Sequence, residues 1–135
     1  MNVSLRFNAL KSRKKDTIPP PAPRKTIHFQ MLSILLRLVA DFFAGAFLCN
    51  AIPHLASGLR GEPFPSPFAR PPGQGLSSPV VNFVWGYLNL VICLALLSIA
   101  RIEIGLNSPL ILFLLGFLLL GLMDAYHFGK VRAGR

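Results

Sequence analysis

Three residues of this chain carry side chains suited to acid–base or metal chemistry: His54, Asp124 and His127. Asp124 and His127 stand at i and i+3, so a helix carries them on one face. His54 closes an earlier apolar block, and with three crossings of a membrane it falls on the same side as His127. Imidazole and carboxylate together suit zinc or iron, and the same residues could relay protons or hold a quinone head group. No ligand motif strengthens the metal reading: there is no HExxH, no ExxH pair and no CxxC. One histidine at a helix end is ordinary for an interfacial polar residue. His54, Asp124 and His127 are carried as candidates, with no metal and no cofactor expected.

Two further groups lie inside apolar blocks. Arg37 and Asp41 are four apart, a spacing that lets them touch on a helix, and ionisable groups inside a membrane span are costly and often functional. The plainer expectation is an intramembrane charge pair that neutralises itself, with Arg37 reaching to the head groups. Asn82, Gly86, Asn89 and Cys93 fall at i, i+4, i+7 and i+11, one narrow stripe of a helix. Small residues allow close helix approach in lipid and amides hydrogen-bond across it, so this stripe is expected to face inward. Lining of a small-solute path by Asn82 and Asn89 is the functional alternative. Trp85 and Tyr87 are expected in an interfacial aromatic belt.

Other chemistry is absent. Gly73-Gln74-Gly75 lacks the Lys-Ser/Thr of a phosphate loop, and no serine has a histidine and an acid at a recognisable spacing. Cys49 and Cys93 sit at different depths of their blocks, about 15 Å apart at 1.5 Å rise per residue, too far for a disulfide. They read as two small apolar fillers.

The elements that must position these residues are long and apolar. Of the 135 residues, 53% are hydrophobic and 14% charged, against about 25% charged in soluble domains. Three blocks, about 31–52, 80–100 and 106–127, reach the ~20 residues a bilayer crossing needs. Each must be a helix, because a spanning segment has to satisfy its own backbone. Short alternating runs, the mark of a β-barrel, are missing. The fold class is an all-α membrane protein: three transmembrane helices, with a proline-rich loop between helices 1 and 2. That loop, 53–79, holds seven prolines and four glycines and is expected to exclude regular helix or strand. Phe64 and Phe68 suggest a compact loop on the membrane surface. Arg101–Gly105 leaves the second and third spans as an antiparallel hairpin.

The net charge is +9, and its placement decides its meaning. Seven basic residues, Arg6, Lys11, Arg13, Lys14, Lys15, Arg24 and Lys25, precede the first span. Residues 1–30 read as a flexible, proline-containing tail, followed by a transmembrane domain over 31–135. Stacking aromatics on a folded platform are lacking, so no nucleic-acid partner is expected. The basic tail favours a cytoplasmic N-terminus. Met31 stands directly before the first span as an alternative translation start; from there, Arg60, Arg70 and the three C-terminal basic residues would favour the opposite orientation.

The string from Pro53 to Asn89, PHLASGLRGEPFPSPFARPPGQGLSSPVVNFVWGYLN, resembles a group of small bacterial membrane proteins. The group carries no assigned activity, so the resemblance implies no catalytic residue. It does imply that the loop and the second helix act as one unit, in the inner membrane of a bacterial cell. The expected role is non-enzymatic: an accessory or structural component in the lipid bilayer, as a homo-oligomer or within a larger membrane complex. The alternatives are a small metal-, redox- or quinone-linked membrane enzyme and an oligomeric small-solute transporter.

Overall fold

A computed structural model describes residues 24–100 and 107–134. Three helices dominate: α1 (Arg24–Leu59), α2 (Pro79–Ala100) and α3 (Ser108–Ala133), with the short strands β1 (Phe64–Pro65) and β2 (Leu76–Ser77) between α1 and α2. Each helix contains a stretch long and apolar enough to cross a bilayer, with mean hydropathy 1.9, 2.1 and 2.1 in chain order. The chain is a multi-pass membrane protein. The proline cluster at 19–23 and the Arg101–Gly105 connection lie outside the described residues. The chain divides into units Met1–Leu32 and Ser33–Arg135; the contacts below belong to the second.

The first span runs further at both ends than the expected 31–52. The span covers Thr26–Leu59, inside a helix that starts at Arg24 and continues through Pro53. Pro53 removes one backbone donor, normally enough to end a helix. Here the next turn is held from outside, by a hydrogen bond from His54 to α2 and by Gly58 packed on the backbone of Phe83. The helix ends in a Schellman motif: Glu62 N–H donates to the Ser57 carbonyl at 2.9 Å and Gly61 N–H to the Gly58 carbonyl at 3.1 Å, with Gly61 at φ 69°. Gly61→Ala forces an L residue into the left-handed region. Its expected cost is about 1 kcal/mol in detergent denaturation.

The expectation that 53–79 excludes helix and strand is corrected. Its first seven residues belong to α1, and β1 pairs antiparallel with β2, Phe64 opposite Ser77. A two-residue ribbon is all edge, so Pro65 removes no ladder bond that an inner strand would need. Ser66 and Ser77 share a 2.6 Å hydroxyl bond, and Gly73 N–H returns to the Ser66 carbonyl at 2.9 Å. Arg60 and Glu62 form an exposed ion pair at 2.8 Å. The arginine's hydrogen bond holds the Glu62 carboxyl below its ordinary range, and the exposure leaves the pair little weight in stability.

α1 is the hub. It meets α3 where Gly45 faces the Phe113 carbonyl and Gly116 faces the Phe42 carbonyl, so closely that a Cβ on either glycine would overlap the opposing backbone. It meets α2 where Gly58 lies against Phe83 and Gly86 against Leu55 and Ala51. Lipid gives helices no hydrophobic drive to associate, so close packing over small residues must hold them. α2 starts on Ser78, whose hydroxyl accepts from Val81 N–H. α3 starts on Asn107, whose side chain accepts from Leu110 N–H at 3.0 Å; Lys130 and Arg132 in its last turn suit the helix dipole.

Candidate functional site: a loop-capped polar chamber

The polar stripe of α2 is buried along its whole length: Asn82, Gly86, Asn89 and Cys93. Asn82 is its centre. Its side-chain nitrogen donates to the carbonyls of Phe64, Ser77 and Ser78, each at 3.1 Å. Carbonyls only accept, so this amide group faces the loop and Oδ1 faces His54 Nδ1 at 2.8 Å. That contact requires the proton on His54 Nδ1. One side chain on α2 therefore ties β1, β2 and α1 together. Further along, Asn50 Nδ2 donates to Asn89 Oδ1 at 3.0 Å, and Asn89 Nδ2 donates to the Trp85 carbonyl at 2.7 Å.

α3 pins the loop from the other side. His127 Nε2 and the Gly73 carbonyl are 2.8 Å apart, which makes Nε2 the donor. Phe128 packs on Phe64 with ring centroids 4.7 Å apart, and Phe68 stands edge-on to Trp85 at 5.2 Å. The loop is a cap held by all three helices.

Beneath the cap lies a chamber of about 180 Å³, lined by Asn50, His54, Ser66, Trp85, Asp124 and His127 among others. His54, Asp124 and His127 thus line one cavity, although among the described residues no group of three or more His, Cys, Asp or Glu is placed to hold a metal ion. Two buried atoms at the chamber, Trp85 Nε1 and Asp124 Oδ2, lack a hydrogen-bond partner, an arrangement that costs about 1–3 kcal/mol per group. The belt expectation fits Tyr87, which is exposed, but not Trp85, which lines the chamber. Asn50 and Trp85 were not among the sequence candidates. A weak signal existed, since Asn50 precedes His54 by one turn and Trp85 precedes Asn89 by one turn.

The Arg37–Asp41 pair does not form. Asp41 is fully buried and both of its carboxylate oxygens lack a partner, whereas Arg37 is exposed. Four residues turn a helix about 40° past a full circle, enough here to leave Arg37 on the outer face while Asp41 packs inward near Ala40 and Ala44. An unpartnered carboxyl in this apolar interior is a liability. Asp41→Ala is expected to raise stability by on the order of 1–3 kcal/mol, read as an upward shift of the denaturation midpoint in detergent. Cys49 and Cys93 are both free and buried.

No family model matches this chain, and no curated protein or solved structure is significantly similar to it.

Proposed function

We propose that this protein is a non-enzymatic component of a bacterial inner membrane, an accessory subunit that displays its rigid cap to a second copy of itself or to a larger membrane complex. The observation that carries this reading is where the polar groups go. Asn82, His54 and His127 use their hydrogen bonds to fix the cap to the helices, and a fixed cap is a surface for recognition. Phe68 and Leu76 on the cap are exposed, 62% and 51%, and apolar groups at such a place suit a protein contact. α3 adds a second uncovered face: 6% of its most apolar window is buried within the chain.

The seven basic residues before the first span favour a cytoplasmic N-terminus. The first crossing then puts the cap on the opposite side. A photo-crosslinking residue in place of Phe68, activated in native membranes, is expected to give one discrete protein adduct. Adducts to lipid alone would contradict the reading. Orientation is read separately, from a Pro67→Cys variant in a Cys49→Ala, Cys93→Ala background. Labelling by an impermeant maleimide in spheroplasts is expected, and labelling only after lysis would reverse the topology.

A further inference from the structure

Asp124 borders two cavities, not one. A second cavity of about 300 Å³ lies between α1 and α3, flanked by Ile52, Pro53, Phe117 and Gly121, and it shares Asp124 and Phe128 with the chamber. Its lining is apolar apart from Asp124. Gly121 opens it, because a Cβ there would stand 3.2 Å from Cys49 Sγ. Ile52 at its edge is 51% exposed, on the flank of a spanning helix, so the groove opens sideways to lipid. One cavity is an apolar slot on the flank of the spanning helices. The other is a partly open pocket under the cap, with polar groups of Asn50, His54, Trp85, Asp124 and His127 in its wall.

The unused atoms of the pocket state what would fill it. His54 Nδ1 is engaged by Asn82, which leaves Nε2 as an acceptor in the neutral ring. His127 Nε2 is engaged by Gly73, which leaves Nδ1. Asp124 Oδ2 is a further acceptor, and Trp85 Nε1–H is a donor with nothing to donate to. Acceptors outnumber donors, yet the donor needs an acceptor too. An ammonium head would serve only the acceptors and a carboxylate head only the donor. A hydroxyl does both, giving its proton to Asp124 or a histidine and taking the indole N–H on its oxygen. A cavity of about 150 Å³ holds a benzene ring, so the pocket has room for a phenol ring or a glycerol-sized polyol.

We propose that the chamber and the α1–α3 groove form one binding site for an amphiphile with a hydroxylated head and a single apolar tail, the head beneath the cap and the tail in the groove facing lipid. The site goes beyond the accessory role, which would stand without it.

Trp85 is the single tryptophan of the chain, so its emission reports on this pocket alone. The full chain in phospholipid nanodiscs is titrated with dodecylglycerol, with its di-O-methyl ether, and with free glycerol. A saturable change in Trp85 emission is expected for dodecylglycerol, with at least tenfold weaker binding of the ether, the size of losing the hydrogen bonds to Asp124 and a histidine. Free glycerol is expected to give no change at matching concentration. Gly121→Leu fills the groove and is expected to weaken dodecylglycerol tenfold or more; Ala125→Phe, on the same wall, serves if the first variant does not fold. A response that never saturates, equal binding of alcohol and ether, or full affinity in a folded groove variant would overturn the site. The photo-crosslink from Phe68 is read independently of all of these.

Discussion

Asn82→Ala is expected to release the cap and cost roughly 3–5 kcal/mol, because the two amide protons shared among three carbonyls and the bond from His54 are lost, each hydrogen bond worth about 1 kcal/mol, and buried partners are left unpaired. The carbonyls of Phe64 and Ser77 lose the amide that joins them, and His54 loses the acceptor for its Nδ1 proton. Asn82→Asp is the sharper test. It has the same shape, but it turns an oxygen toward carbonyls that can only accept, so it should destabilise at least as much as alanine. Thermal denaturation in detergent measures the loss. Trp85 emission locates it, since the Trp85 ring lies 6.5 Å from that of His54 and 5.2 Å from that of Phe68 on the cap. A red shift in Asn82→Ala marks water reaching the chamber. An Asn82→Asp variant as stable as the wild type would mean that the cap is held by something else.

The second large effect lies at the α1–α3 crossing. Gly116→Val and Gly45→Val are each expected to cost roughly 2–4 kcal/mol, the range of overpacked or disrupted helix contacts. Both place a branched side chain where the opposing backbone carbonyl already stands. Backbone cannot rotate out of the way as a side chain can, so the helices must part. Gly129 provides the control. It lies on the same helix as Gly116 with nothing within 4 Å of its would-be Cβ. Gly129→Ala should therefore be neutral or stabilising by up to about 1 kcal/mol, from helix propensity alone. Equal destabilisation by Gly116→Val and Gly129→Ala would remove the crossing from the fold.

The three helices were legible because a run of some twenty apolar residues has few other readings. The inward stripe of α2 was legible for a related reason: Asn82 and Asn89 are too polar for lipid, and helical spacing puts them on one line. What was hidden depends on geometry between elements. Pro53 looks like a helix end, and only the docking of His54 and Gly58 on α2 carries the helix past it. Arg37 and Asp41 have a spacing that permits contact, but the packing of Asp41 decides otherwise. Gly45 and Gly58 give no sign in sequence that one faces α3 and the other α2. The chamber assembles from α1, α2, α3 and the loop, so no local pattern could announce Trp85 as part of its wall. His54, Asp124 and His127 were found by residue type alone. The hydrogen bonds that assign two of them to holding the cap needed the fold.

Amide hydrogen exchange of the full chain in nanodiscs, followed by mass spectrometry across residues 60–78, tests the fixed cap most directly. The backbone N–H groups of Glu62, Gly73 and Gly75 are hydrogen-bonded at 2.9, 2.9 and 2.7 Å, and a cap pinned to three helices should protect them on the scale of the helix cores. Protection there, lost in Asn82→Ala while α3 stays protected, is the expected result. Exchange of the whole segment within seconds in the wild type would show a free linker and would contradict the cap, the chamber beneath it and the recognition surface above it.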